Sequence, residues 1–135
     1  MTQTSIVVDT HVLIWYLLDD TRLSKRANEA LDGAVDSGRQ IYFPTMCLVE
    51  ATYLVEKKRV AAEVVALMER AAAIPRSALE PVPLTMAIAI AMRQIPRDAV
   101  PDLPDRVIAA TALALGLPLI TRDGKIRASN IETIW

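Results

Sequence analysis

The sequence is poor in the residues that most often announce a chemistry. A single cysteine, Cys47, rules out an intrachain disulfide and fits a reducing compartment. A single histidine, His11, excludes reactions that need two imidazoles and leaves no His/Cys cluster of the zinc-binding kind. With one phenylalanine, the core has to be built from Ala, Val, Ile, Leu and the five methionines, although apolar residues make up 53% of the chain. No apolar run approaches the ~18 residues that span a bilayer, and the first residues lack a basic stretch followed by an apolar signal segment. A cytoplasmic protein without membrane contact is the expectation. Positive charge is not in excess: 15 Lys+Arg stand against 16 Asp+Glu, for a net charge of −1. That speaks against a broadly basic surface coating nucleic acid, though not against a local basic strip. Repeats, low-complexity tracts and interdomain linkers are also missing, so one domain over residues 1–135 is expected.

What is present alternates between two patterns. Ile6-Val7-Val8 is a β-branched run that reads as a strand buried on both faces, the signature of a central parallel strand. It ends at Asp9 and leads into an apolar helical segment, residues 12–18. Asp19-Asp20-Thr21 form a polar turn. Ser24 then caps a helix with Ala27, Ala30, Leu31, Ala34 and Val35 on one stripe, closed by Gly38. Ile41-Tyr42-Phe43 is a short strand, after which Thr45 is placed as the cap of a helix over residues 46–55. Residues 56–59 form a solvated joint before the stripe Val60, Val64, Leu67, Met68 and Ala71. Residues 75–83, with their prolines, suggest an edge strand carrying Leu79 and Val82. A helix over 85–95, a loop over 95–104, a helix over 105–115 ended by Gly116, a strand over 118–121, a turn at Asp123-Gly124 and a strand over 131–135 complete the reading. No hairpin dipeptide separates two strand patterns before residue 123. The expected fold is therefore α/β, a three-layer α/β/α sandwich around a mostly parallel sheet.

Most acids fall on solvated faces or turns, among them Asp19, Asp20, Asp32, Asp36, Glu56, Glu63 and Glu69. Glu50 does not, because its neighbours three and four residues away are Met46, Cys47, Tyr53 and Leu54. A carboxylate on such a stripe needs a partner, either a donor or a cation. Asp9 and Asp105 read equally as helix caps or first-turn acids, and Asp123 as a turn former. Taken together, all four fall at the carboxyl-end face of a parallel sheet, where open α/β sheets bind ligands. Two carboxylates about 5 Å apart repel by roughly 3 kcal/mol at an effective dielectric near 20. Four of them on one face call for protons or a cation, and an all-oxygen set suits Mg²⁺ or Mn²⁺ rather than zinc.

At these residues the chain resembles a known family. Ile6-Val7-Val8-Asp9-Thr10-His11, Leu48-Val49-Glu50-Ala51, Asp105-Arg106-Val107-Ile108-Ala109-Ala110-Thr111-Ala112 and Ile120-Thr121-Arg122-Asp123 are together similar to the PIN-domain ribonucleases, and among them to the VapC toxins of bacterial toxin–antitoxin pairs. The resemblance runs over essentially the whole chain. It implies an acidic quartet of Asp9, Glu50, Asp105 and Asp123, holding Mg²⁺ or Mn²⁺ and hydrolysing RNA phosphodiester bonds to 5′-phosphate and 3′-hydroxyl ends. Relatives often carry a further acid near Asp102, but in an Asp-Pro-x-Asp-Arg order, whereas here the proline, Pro104, is displaced by one. The resemblance also implies an RNA substrate, a cognate antitoxin over the active-site groove, and a homodimer.

Several residues keep two readings. Thr10 and Thr121 either orient a ligand or cap backbone; His11 packs or caps a helix rather than acting in catalysis. Arg106, Arg122, Lys125 and Arg127 either hold RNA phosphates or are solvated or paired with an acid. Trp15, Tyr16, Leu17 and Leu18 belong to the core or to a protein contact. Two other functions fit parts of the pattern. A catalytically silent module of the same fold would keep the acids without turnover. A receiver-like phospho-signalling domain would want paired acids after the first strand and an acceptor Asp after the third; Asp9 stands alone, and the strand near Val82 offers none.

Overall fold

The computed structural model describes residues 4–135, so the first three residues of the expected domain lie outside the described residues. Five strands form one parallel sheet in the order β3-β2-β1-β4-β5: β1 (Ile6–Val8), β2 (Ile41–Pro44), β3 (Leu79–Val82), β4 (Leu119–Ile120) and β5 (Thr133–Ile134). Among the described residues seven α-helices flank it: α1 (Thr10–Leu17), α2 (Lys25–Asp36), α3 (Met46–Glu56), α4 (Glu63–Ala73), α5 (Met86–Ala91), α6 (Leu103–Leu115) and α7 (Gly124–Arg127). The three-layer α/β/α sandwich is as expected. β1 lies at the centre, with Val7 opposite Tyr42 on one side and Leu119 on the other. Its three residues are buried because neighbours cover every edge and both faces. No helix among the described residues is long and apolar enough to cross a membrane.

The strand order decides where a ligand can sit. From β1 the chain moves outward through β2 to β3, then crosses back past both to place β4 on the other side of β1. The connections leaving β1 and β4 therefore diverge, and the crevice between their carboxyl ends is the switch point of the sheet. The order also differs from the 2-1-3-4-5 order of receiver domains, which removes the structural basis of the receiver-like reading.

Local chemistry explains most element ends. Ser24 Oγ accepts from Ala27 N at 3.1 Å, and Gly38, at φ 72°, takes the left-handed conformation that stops α2. Ala27, Leu31 and Ala34 are buried along that helix, but Val35 is 42% exposed, so the buried stripe is narrower than expected. Val64 and Met68 are the buried members of the α4 stripe. Pro44 extends β2 instead of stopping before it. Ile41 N and Thr45 N donate toward the β3 side, so the missing N–H of Pro44 faces β1, past the last residue pairing with it.

Three expectations are corrected. Thr45 makes no side-chain cap, because its own backbone is already helical and β2 runs directly into α3. α6 begins at Leu103 rather than Asp105: Asp102 is the cap, accepting from Asp105 N at 3.1 Å, and Pro104 occupies the first turn, where an N–H is not needed. Asp123-Gly124 is not a simple turn but the start of α7, with Asp123 Oδ1 accepting from Lys125 N and Ile126 N.

Candidate active site

The crevice at the switch point is an open cleft of about 670 Å³, and all four expected carboxylates line it. Asp9 comes from the end of β1, Glu50 from α3, Asp105 from the first turn of α6 and Asp123 from the residues after β4. Asp102 joins them as the α6 cap. Sequence separations of up to 114 residues are closed by the parallel sheet, which sends every strand's exit to the same edge.

Asp9, Asp102 and Asp123 each have a local capping role and a site position at once. Asp9 caps α1 by accepting from Val12 N at 3.0 Å, and its other carboxylate oxygen accepts from the Thr121 hydroxyl. Thr121 is fully buried and also accepts from Asp123 N at 3.0 Å, so one hydroxyl ties β4's exit to β1's. Thr10 donates to Glu50 Oε1 at 2.5 Å, joining α1 to α3. Both threonines thus serve carboxylates, and Thr121 also caps the turn backbone at Asp123. The partner that Glu50 requires is this hydroxyl. Among the described residues no Lys or Arg forms an ion pair with any acid of the cleft; the ion pairs are Arg22–Asp20 and Lys25–Glu29.

Negative charge without a cation raises the affinity of these groups for protons. Burial pushes the Asp9 carboxyl up against the lowering effect of its two hydrogen bonds. Burial, then the nearby charges of Asp102 and Asp9, push Glu50 up, opposed by Thr10 and His11. Asp105 is pushed up to about 8 through burial, repulsion from Asp102, Asp123 and Glu50, and a hydrogen bond to Asp123. Cys47 lies buried beneath the cleft, and burial drives its thiol upward too, so it is an inert core residue donating to Val8 O.

A pH dependence of stability follows. An unfolded Asp ionises near 4, whereas folded Asp105 keeps its proton to about 8. Between those values the folded state binds more protons, so the stability that Asp105 contributes to the metal-free protein is fully present below about pH 4 and is lost as pH rises toward 8. Asp20, held down to about 2 by hydrogen bonds from Arg22, titrates outside this window. Because Asp105 is only half-buried, the loss is discounted for screening to about 1–2 kcal/mol. Urea midpoints in EDTA at pH 5 and pH 8 measure it; equal midpoints contradict the charge crowding.

The cationic rim differs from expectation. Arg122 does line the cleft, but Lys125 and Arg127 do not. Arg106 faces away, and its Nη2 donates to Met92 O at 3.0 Å and Ile95 O at 2.9 Å, fastening the 3-10 turn after α5 to α6. Neither phosphate binding nor pairing with an acid applies to it. His11 is exposed at the edge of the cleft, with its ring 5.7 Å from Trp15, and is not packed in the core. Trp15 and Arg22 are cleft residues that the sequence reading missed. His11 and Trp15 are four residues apart on α1 and share its face, a legible signal. Arg22 has none, because a fold-back after α1 brings it there, with Asp20 N donating to Trp15 O at 2.8 Å.

The family model of the PIN domain matches residues 6–130. The chain belongs to the PIN domain family. It is 28% identical over 137 aligned residues to Ribonuclease VapC22 of Mycobacterium tuberculosis, covering 98% of this chain and 99% of that protein. Among solved structures, VapBC2 from Rickettsia felis bound to a promoter DNA fragment gives a TM-score of 0.69 at 15% identity, covering 96% of this chain and 97% of that one. A toxin–antitoxin complex from Klebsiella pneumoniae gives 0.67 at 22% identity, over 96% of both chains. The family model's range, residues 6–130, includes the β1 and β4 exits that build the cleft.

Proposed function

We propose that this PIN domain, taken as one domain over residues 1–135, is a metal-dependent endoribonuclease and the toxin of a toxin–antitoxin pair. The observation that carries the reading is the convergence of Asp9, Glu50, Asp105 and Asp123 from four separate elements on one cleft, with no cationic side chain among the described residues paired to them. The Mycobacterium relative, matched end to end, is itself a ribonuclease. Solved neighbours include toxin–antitoxin complexes, which supports an antitoxin as partner; the homodimer is carried over from the family resemblance alone.

The donor set fits a hard divalent cation. Among the described residues no group of three or more His, Cys, Asp or Glu side chains is gathered closely enough to hold a metal ion by itself. Mg²⁺ does not need one, since it is commonly held by one or two carboxylates together with waters and substrate phosphates. Asp9, Glu50, Asp105 and Asp123 are the residues that would hold Mg²⁺ or Mn²⁺. Bound there, the cation supplies neutralisation of phosphodiester charge and acidification of a water. The chain's own groups do the rest. Thr121 and the Val12 N–H fix the Asp9 carboxylate, and Thr10 fixes Glu50. A carboxylate of the quartet left unbound by the cation would be the group to take the water's proton.

The test is cleavage of labelled single-stranded RNA by purified, antitoxin-free protein. Cleavage in Mg²⁺ or Mn²⁺, abolished by EDTA and restored by added metal, is the expected result. Cleavage that persists in EDTA overturns the metal reading. Uptake of Mn²⁺ without cleavage of any RNA favours the silent binding module.

A further inference from the structure

A cleft lined by carboxylates repels the polyanion it is proposed to cut, and the chain as a whole carries a net charge of −1. The compensation stands at the rim. Trp15, only 6% exposed, has the Arg22 guanidinium 5.5 Å and the Arg122 guanidinium 5.8 Å from its ring centre. Both arginines line the same cleft as the acids. They reach it from different parts of the chain, the turn after α1 and the residues after β4.

A guanidinium resting on an aromatic face is held by its plane and keeps its N–H edge for a ligand. Arg22 spends two of its five N–H donors on Asp20, Nε at 3.1 Å and Nη2 at 2.8 Å, leaving three. Arg122 has no hydrogen-bond or ion-pair partner among the described residues, so its donors are uncommitted. Neither is drawn onto the cleft's carboxylates, although each stands beside them. Trp15 is too buried to stack a base, and its indole therefore serves as the platform for the two cations.

We infer that Arg22 and Arg122 bind the phosphates flanking the scissile one in a single-stranded RNA, and that Trp15 is the positioning residue setting their spacing. This inference rests on the nuclease reading and adds to it the residues that hold the substrate strand. Bidentate, charge-assisted hydrogen bonds to phosphate oxygens are what such pre-oriented guanidiniums make best.

The experiment is steady-state cleavage of a fluorescent single-stranded RNA in Mg²⁺, with KM followed from about 50 to 300 mM KCl. Each phosphate contact to a single strand contributes a salt slope of about 0.7. Arg22→Ala and Arg122→Ala are each expected to raise KM roughly tenfold at low salt with kcat within about threefold, and to lower the slope by about 0.7. The double variant lowers it by about 1.4. Arg122→Lys keeps the slope but not the full affinity, because a point charge replaces a planar fork. Trp15→Leu keeps both charges and hence the slope while raising KM, a split that unfolding does not produce. Lys125→Ala and Arg127→Ala, outside the cleft, leave KM unchanged. If the wild type cleaves RNA and the double variant retains its KM and slope, the phosphate clamp is overturned while the nuclease reading stands. If the wild type neither binds nor cleaves RNA in Mg²⁺ or Mn²⁺, the nuclease reading and the clamp fall together.

Discussion

Asp9→Asn is expected to lower metal-dependent RNA cleavage by at least about 10³-fold, some 4 kcal/mol of transition-state stabilisation. Its effect on the fold is small. The asparagine Oδ1 can still accept from Val12 N, and the amide can donate to the Thr121 oxygen, so the two contacts of Asp9 are retained in altered polarity. The substitution also removes a charge whose burial is unfavourable. Thermal midpoints in EDTA should therefore stay within about 3 °C of wild type. Adding Mg²⁺ separates the proteins: a ligand at about 100 times its Kd stabilises by about 2.7 kcal/mol, and Asp9→Asn should lose most of that rise. Retention of more than about a tenth of the cleavage rate, or of the full Mg²⁺ shift, would remove Asp9 from the metal site.

Thr121→Val carries the largest stability effect. The two side chains have nearly the same shape, so packing is unchanged and the hydroxyl alone is deleted. That hydroxyl donates to Asp9 and accepts from Asp123 N at a position with no solvent access. Its removal leaves a buried carboxylate oxygen without a donor and a backbone N–H without an acceptor, which costs about 2–3 kcal/mol. For a chain of this size the thermal midpoint falls by roughly 6–10 °C. Thr10→Val should cost about 1 kcal/mol, because its acceptor Glu50 is only half-buried and water can replace the hydroxyl. In a double-mutant cycle, Asp9→Asn with Thr121→Val should cost less than the sum by about 1 kcal/mol, since the first change has already removed the charge left stranded by the second. A Thr121→Val protein within 0.5 kcal/mol of wild type, roughly the scatter of surface substitutions, would show that the hydroxyl does not hold the site together.

These two residues also show how far a sequence can be read. Ile6-Val7-Val8 announced a central strand because only burial on both faces tolerates so continuous a β-branched run, and β1 lies there. Gly38 and Gly116 marked helix ends through their positive φ, and Ser24 a helix start through its side-chain oxygen. Such features depend on a few neighbouring residues. Glu50 stood out for the same reason, as an acid among apolar neighbours. Its partner was not legible, because Thr10 lies 40 residues away on another helix. The start of α6 and the helix after Asp123 were misjudged where one residue type serves two local structures. An Asp before Gly suits a turn or a cap, and an Asp two residues before a proline suits a loop or a helix start.

By itself the sequence determined the alternation of strands and helices, the parallel sheet, the family, and which four acids to watch, because hydrophobic period, cap chemistry and motif order are local properties. Tertiary structure alone decided that the acids share one cleft, since only the return of the chain from β3 past β1 to β4 brings two diverging strand exits together. It also decided the roles of the arginines. Arg106 follows one of the acids directly yet turns away to fasten Met92 and Ile95, whereas Arg22, with no local mark, is folded back onto Trp15 beside Arg122. A side chain's charge is written in its residue type, but the group it meets depends on the path of the whole chain.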